Sequence, residues 1–315
     1  MATQEPLVSV HIVTYNQREF VDETLASVLE QDYSNVEVVV ADDGSSDGTA
    51  EIVQAYAARL PSKVIAITGG PNLGISGNSN RCLRRCRGRY VAFLAGDDLM
   101  LPGKLSRQVE WLEAEPSRVL CAHDVDHFDS ATGRTLHLHS AITAPRSGHG
   151  AAEFLRWGYC TATSSIMVRA SSMPSYGFDE RIRVHSDWKF AVDCLVGGGA
   201  FGFVPGVLGR YRRHEKNSTS VFSELRWIER HVGLGILEGE HPELADACAS
   251  ARAYAYLQRA VALAQQGVGR DARRALRSAL QHSPTVSWKL PVWYALSYVP
   301  RDLWPARLRG GVAST

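Results

Sequence analysis

The chain has 315 residues, 45% of them hydrophobic, enough to bury one large domain with an appendage or two modest domains. Its 34 lysines and arginines nearly balance 33 aspartates and glutamates, which excludes the global basic field of a nucleic-acid-binding protein. No long uncharged apolar run is present, so no membrane-spanning helix is expected. The opening MATQEPLVSV has neither the basic start nor the apolar stretch of a secretory leader, and a cytoplasmic location is expected. The cysteines at 82, 86, 121, 160, 194 and 248 are scattered, and Cys82 and Cys86 stand one helical turn apart rather than as a CxxC pair. They read as buried free thiols of a reducing compartment.

Strand-length apolar runs recur at 8–13 (VSVHIV), 36–41 (VEVVVA), 63–68 (KVIAIT) and 90–95 (YVAFLA). Helical spacing fills the gaps. In EFVDETLASVLEQ the residues Phe20, Thr24, Leu25, Val28 and Leu29 form one stripe, and Asn16 with Glu19 suits a capping box. GTAEIVQAYAARL (48–60) and SGNSNRCLRRCRG (76–88) read as the next two helices. Continuously apolar strands alternating with helices predict an α/β fold with a largely parallel sheet covered on both faces, and ligands bind beyond the carboxyl ends of such strands.

Beyond about residue 118 the alternation loosens. RVLCAHDVDHFD, SSIMVRA and AFGFVPGVLGRYR read as strands, and AAEFLRWG and SDWKFAVDCLVG as helices. Residues 223–283 are almost entirely helix-forming, and AVALAQQGVGRDARRALRSALQHSP reads as a helical hairpin, either one repeat of the tetratricopeptide kind or a plain two-helix appendage. The segment 284–315 is broken by Pro284, Pro291, Pro300 and Pro305 and carries Trp288, Trp293, Tyr294, Tyr298 and Trp304. From Arg270 onward eight basic residues face two acidic ones. Interleaved aromatic and cationic side chains suit peripheral contact with a membrane surface, and equally suit packing on the protein's own helices.

Polar and charged groups gather where three strands end. The first strand leads into Thr14-Tyr15-Asn16, the second into ADDGSSDGT with Asp42 and Asp43, and the fourth into AGDDLMLP with Asp97 and Asp98. One aspartate at such a place is often only a turn or a helix cap. Three such ends at neighbouring strands converge on one crevice. Paired carboxylates there repel unless a cation or hydrogen-bond donors neutralise them, which fits Mg²⁺ or Mn²⁺ completed by water and phosphate oxygens.

Together, V-S-V-x-I-V-T-Y-N, V-V-V-A-D-D-G-S-S-D-G-T, N-x-G at 72–74 and G-x-Y-V-A-F-L-A-G-D-D resemble family 2 glycosyltransferases of the GT-A fold, over residues 7–110 and more weakly to about 220. The resemblance implies a GT-A domain over 1–222, a Rossmann-like mixed sheet with helices on both faces, followed by a C-terminal helical extension at 223–283 and the tail at 284–315. It implies an inverting, metal-dependent transferase that moves a sugar from a nucleotide-sugar donor, UDP-linked, to a saccharide or lipid-linked acceptor hydroxyl. Val13, Thr14 and Tyr15 would line the base, Asp43 would accept a hydrogen bond from it, Asn72 would cover the nucleotide and Asp97 would address the ribose. Asp98 would bind the metal, Mn²⁺ or Mg²⁺, with His214 of YRRHEKNSTS as a further ligand. Asp187 in VHSDWKF stands at the place of the catalytic aspartate, where Ser186 replaces the family's glutamate. Arg212, Arg213 and Lys216 suit phosphate oxygens.

Other patterns point elsewhere and are set aside. His123, Asp124, Asp126, His127, Asp129, His137 and His139 have no tetrahedral zinc spacing and read as the solvated face of a hairpin. GGPNLGISGNSN lacks the dinucleotide and P-loop patterns, and TYNQREF is not the glycine-rich, lysine-bearing phosphate loop that a nucleotidyltransferase would carry near its N-terminus. The Q-x-x-R-W of processive synthases is missing downstream of Asp187, which argues for adding one sugar or few. A binding protein that keeps the fold without the chemistry is the rival from another class, with Ser186 as its support. Self-association, the sugar and the acceptor are left open.

Overall fold

The structure, a computed structural model, describes residues 5–157, 161–215, 217, 223–283 and 297–298. The chain divides into two compact units, Met1–Ala151 with Tyr159–Phe222 and Ala152–Gly158 with Ser223–Thr315.

The described elements run β1 (Val8–Thr14), α1 (Val21–Leu29), β2 (Val36–Asp42), α2 (Thr49–Arg59), β3 (Val64–Ile67), α3 (Gly74–Leu83), β4 (Tyr90–Ala95), β5 (Leu99–Met100), α4 (Lys104–Glu113), β6 (Arg118–Asp129), β7 (Thr135–Leu138), β8 (Gly148–His149), α5 (Gly150–Trp157), β9 (Met167–Arg169), α6 (Ser186–Val196) and β10 (Ala200–Arg213). Three further helices follow: α7 (Ser223–Glu240), α8 (Ala245–Gln265) and α9 (Gly269–His282).

The strands form one sheet in the order β3-β2-β1-β4-β9-β6-β10-β5, with β7 on β6 and β8 on β10. The first four strands are parallel as the alternation predicts, with Val13 level with both Ala41 and Ala95 and Thr14 level with Asp42. The sheet is mixed beyond β4. Strand β9 runs antiparallel to β4 and β6, while β10 and β6 are parallel to each other.

Period-two alternation along the strands builds two layers. Val8, Val10, Ile12, Val38 and Val40 face Leu25 and Val28 of α1, Val53 of α2 and Leu105, Val109 and Leu112 of α4 in one buried core. On the opposite side Val39 and Ala41 pack with Cys82 of α3. There His11, Phe93, Phe178 and Phe190 of α6 make a chain of ring contacts at 4.4–5.4 Å. His11, a buried polar residue of this layer, donates from Nε2 to the Ser79 carbonyl at 3.0 Å.

In the second unit α8 and α9 form the expected hairpin, turned through Gly267 at φ 81°, with Leu257, Ala260, Ala275, Leu276 and Ala279 between them. Arg259 pairs with Glu224 and Arg252 with Glu238, tying α8 to α7. Cys82, Cys121, Cys194 and Cys248 are buried free thiols and Cys86 is half-buried. Cys160 and most of the 284–315 tail lie outside the described residues. No described helix is long and apolar enough to cross a membrane.

Two sequence expectations are corrected. Asn16 and Glu19 make no capping box, because α1 begins one turn later behind Phe20 without a side-chain cap. Asn16 instead adopts φ 51° and accepts from the Ser46 amide through Oδ1 at 3.0 Å, while its own amide donates to Ser45 Oγ at 2.8 Å. The 123–139 histidines and acids are not a solvated face. His123, Asp124, Asp126 and His127 are buried in β6, and His127 stacks between His137 and His139 with ring centroids at 4.5 and 5.4 Å.

Candidate active site

The parallel register brings the ends of β1, β2 and β4 to one edge of the sheet, and short hydrogen bonds lock their loops together. The Asp43 amide donates to the Thr14 carbonyl at 2.9 Å, and the Gly96 amide to the Val13 carbonyl at 3.0 Å. Gly96 approaches so closely that a Cβ there would lie 2.7 Å from Thr14 Cβ and 2.5 Å from Gln17 Oε1. The glycine of the AGDD motif therefore allows the acidic pair to emerge directly beside the first strand. Tyr15 stands out from this edge, 52% exposed, while Thr14 is buried.

Asp43 is buried and both its oxygens accept from backbone, Leu73 N at 2.8 Å and Gly74 N at 2.9 Å. It thereby satisfies the orphan amides at the start of α3 and fixes the N-x-G turn. Asn72 returns a bond from Nδ2 to the Asp43 carbonyl at 3.0 Å and is otherwise exposed. Gly44 at φ 76° closes the same turn.

Asp97 and Asp98 part at the end of β4. Asp98 turns inward, 1% exposed, and accepts from Ser164 Oγ at 2.5 Å and from the Arg212 amide at 2.9 Å. Burial and the neighbouring Asp97 charge push its carboxyl well above the ordinary carboxylate range, against the opposing pull of Ser164 and Arg212. Asp97 faces the last turn of β10, where its Oδ2 lies 2.9 Å from His214 Nε2. Asn217 holds that turn shut, accepting from the His214 amide at 2.7 Å and donating to the Arg212 carbonyl at 3.1 Å. Arg212 is buried, gives Nε to the Asp97 carbonyl at 2.7 Å and pairs with Glu23, so its guanidinium is engaged inside the protein. Lys216 lies outside the described residues.

This arrangement fits a divalent cation. A carboxylate oxygen and an imidazole nitrogen face each other, and a second, buried carboxylate behind them has no cationic side chain in direct contact among the described residues. Among the described residues no cluster of three or more His, Cys, Asp or Glu side chains is placed to cage an ion. A cation here would therefore draw most of its shell from water and phosphate oxygens, the usual habit of Mg²⁺ and Mn²⁺ at nucleotide sites.

Asp187 begins α6. It accepts from Thr163 Oγ1 at 2.5 Å and from the Trp188 amide at 2.9 Å, and His185 Nδ1 lies 3.4 Å away. Its side chain remains 23% exposed, so solvent and a bound molecule can reach it. Two residues on, the fully buried Lys189 donates to Asp193 at 2.9 and 3.0 Å and approaches Asp179 at 3.3 Å, anchoring the helix. Asp179 is held down to about 2 by bonds from Arg181 and Lys189 that outweigh its burial.

The residues that the motifs single out thus collect along one sheet edge and the adjoining start of α6. The supporting set is less visible in sequence. Thr163 and Ser164 sit in an irregular stretch, and Lys104 reads as an ordinary helix lysine. Asn217 is part of a motif whose geometry only the folded turn reveals.

Residues 9–173 match the sequence model of the family described as glycosyl transferase family 2, and the chain belongs to that family. An uncharacterized protein of Mycobacterium tuberculosis, Rv1520, is 31% identical over 220 residues, and the match spans 66% of this chain but only 59% of that protein. The UDP-Glc:alpha-D-GlcNAc-diphosphoundecaprenol beta-1,3-glucosyltransferase WfaP of Escherichia coli is 36% identical over 109 residues, 35% of this chain and 42% of its own. Among solved structures, residues 1–349 of Staphylococcus aureus TarS with UDP-GlcNAc superpose with a TM-score of 0.68 at 16% identity, over 93% of this chain and 87% of that one. The mannosyltransferase PcManGT of Pyrobaculum calidifontis, with GDP-Man and Mn²⁺, gives 0.63 at 19% identity over 94% and 85%. The fold is the α/β GT-A arrangement that the motifs imply.

Proposed function

We propose that this chain is an inverting, metal-dependent glycosyltransferase. It takes a sugar from a nucleotide donor, UDP-linked, and adds it non-processively to a saccharide or lipid-linked hydroxyl in bacterial-type polysaccharide or glycoconjugate synthesis. The observation that carries this reading is the meeting of Asp97 with His214 beside the buried Asp98, at the edge where three parallel strands end. WfaP, named for a UDP-Glc donor and a diphosphoundecaprenol-linked acceptor, and TarS, solved with UDP-GlcNAc, support the choice of UDP and of acceptor class.

In this reading Val13, Thr14 and Tyr15 line the base and Asn72 covers the nucleotide. Asp43 holds the loop that receives the base, Asp97 addresses the ribose and the cation, and Asp98 and His214 complete the protein's share of the metal site. When bound, the cation supplies Lewis-acid stabilisation of the charge that develops on the diphosphate. The acceptor oxygen forms its bond to the anomeric carbon as the bond from that carbon to the phosphate oxygen breaks. The electron pair leaves on the diphosphate, and the hydroxyl proton passes to the Asp187 carboxylate. Single displacement of this kind inverts the anomeric centre. The Thr163 and Trp188 bonds hold Asp187 in one orientation while its side chain stays partly exposed.

Calorimetric titration of UDP with and without Mn²⁺, on the wild type and on Asp98→Asn, tests the reading. Metal-dependent binding that the substitution abolishes is the expected result. Binding of dTDP or GDP in place of UDP would change the donor. Failure of all three nucleotides to bind would favour a protein that keeps the fold without the chemistry.

A further inference from the structure

The acidic pair and Asp187 come from segments almost ninety residues apart, yet one short turn touches both. Thr163–Ser165 forms a single 3₁₀ turn whose consecutive residues serve different carboxylates. Thr163 Oγ1 donates to Asp187 Oδ2 at 2.5 Å, and Ser164 Oγ donates to Asp98 Oδ2 at 2.5 Å. Ser164 Oγ also accepts from the Ala95 amide at 3.1 Å, which ties the turn to the end of β4. From beneath, two residues one helical turn apart on α4 hold the turn by its carbonyls. Lys104 Nζ donates to Ser164 O at 2.6 Å and Gln108 Nε2 to Ser165 O at 2.8 Å. Both side chains are completely buried.

We propose that the Thr163–Ser164 turn is a clip that sets the position of the base Asp187 relative to the donor-side carboxylate Asp98, with Lys104 as its buried anchor. The proposal rests on the function proposed above and adds three positioning residues to it. In-line displacement requires the base and the leaving group on opposite sides of the anomeric carbon, and a misplacement of about 1 Å costs on the order of a hundredfold in rate. Consecutive Cα atoms are locked about 3.8 Å apart, so two carboxylates bonded to neighbouring residues cannot drift independently.

The identity of the anchor strengthens the case. A buried ammonium is expensive, and an apolar side chain would fill the same space at lower cost. Among the described residues Lys104 Nζ has the Ser164 and Phe93 carbonyls as its hydrogen-bond acceptors, the latter at 3.3 Å. Burial lowers its pKa to about 7, and the nearby Asp98 charge works the other way. At that depth Nζ fixes the turn through the Ser164 carbonyl while it also reaches the Phe93 carbonyl of β4.

The test uses Thr163→Val, Thr163→Ser, Ser164→Ala and Lys104→Met in the full chain. UDP affinity with Mn²⁺ is measured by calorimetry, and turnover is read as UDP release from UDP-glucose and UDP-GlcNAc with water as acceptor. Thr163→Val is expected to lower kcat at least tenfold while the donor KM and the UDP Kd stay within twofold, and Thr163→Ser to restore kcat to within threefold of wild type. Ser164→Ala is expected to weaken Mn²⁺-dependent UDP binding at least fivefold, and Lys104→Met to impair both. Unchanged kcat in Thr163→Val, a parallel loss of kcat and affinity, or no rescue by serine would overturn the clip. If the wild-type chain bound no nucleotide, the proposed function would fall separately. A double-mutant cycle of Thr163→Val with Asp187→Asn in urea unfolding would then decide the clip, and additive effects would sink it.

Discussion

The hydroxyls of Ser76 and Ser186 meet at 2.7 Å in the interior, joining the first turn of α3 to the first residue of α6. Ser76 also bonds the Ile182 carbonyl at 2.5 Å, which can only accept, so its single proton goes there and Ser186 donates to Ser76. The serine that departs from the family's glutamate is therefore a fitted part of the joint that presents Asp187.

Ser186→Ala should cost about 1 kcal/mol, the usual worth of a lost hydrogen bond. Ser186→Glu, which restores the family residue, should cost several kcal/mol, because Ser186 is 1% exposed and a carboxylate there would meet a hydroxyl and a carbonyl without a cation. Urea unfolding of the two variants measures both. A glutamate variant as stable as the wild type would show that the joint has room for an acid.

Asp43→Ala should destabilise the unit by about 1–3 kcal/mol, since it removes the Asp43 acceptor of the Leu73 amide and leaves the Gly74 amide only its longer bond to Asn72 Oδ1 at 3.2 Å. Asp43→Asn keeps one acceptor oxygen and should lose roughly half as much. If this loop receives the base as proposed, calorimetry on both variants should show UDP affinity falling in the same order, because the loop loosens with the turn.

His214→Ala should weaken UDP binding in Mn²⁺ about tenfold or more, equivalent to at least 1.4 kcal/mol, and should leave any metal-free binding unchanged. Equal losses with and without Mn²⁺ would mean that His214 serves the loop and not the cation.

Stability should fall on mild acidification through His11. Burial lowers its pKa from 6.5 to about 4, so the folded chain refuses a proton that the unfolded chain accepts. The contribution is complete above pH 6.5 and is lost as pH falls through about 4, amounting to about 2–3 kcal/mol between pH 7 and 4.5. Urea midpoints at those two values should differ by less in His11→Leu. An identical acid response in that variant would place the titration elsewhere.

Most strands and helices of the first unit were legible because their apolar periodicity is strong. The 12-residue run RVLCAHDVDHFD became β6 with the bounds its pattern suggests. The buried histidine stack was not legible. Alternating His and Asp in a strand reads as a wet face unless the covering elements are known, and here β7 and β10 flank β6. The failed Asn16 cap has a similar cause, because the side chain found a partner thirty residues away before it could find one in its own helix.

The sequence by itself determined the alternation of strand and helix, the loops that carry Tyr15, Asp43, Asp97 and Asp98, and membership of the family, since these depend on local pattern and motif spacing. The fold alone decided that Asp97 is the carboxylate facing His214, that Asp43 caps α3, that Arg212 turns inward, and that Thr163 and Ser164 join Asp187 to Asp98. Each of these is a contact between residues distant in the chain, fixed by strand register and by the need of every buried polar group for a partner.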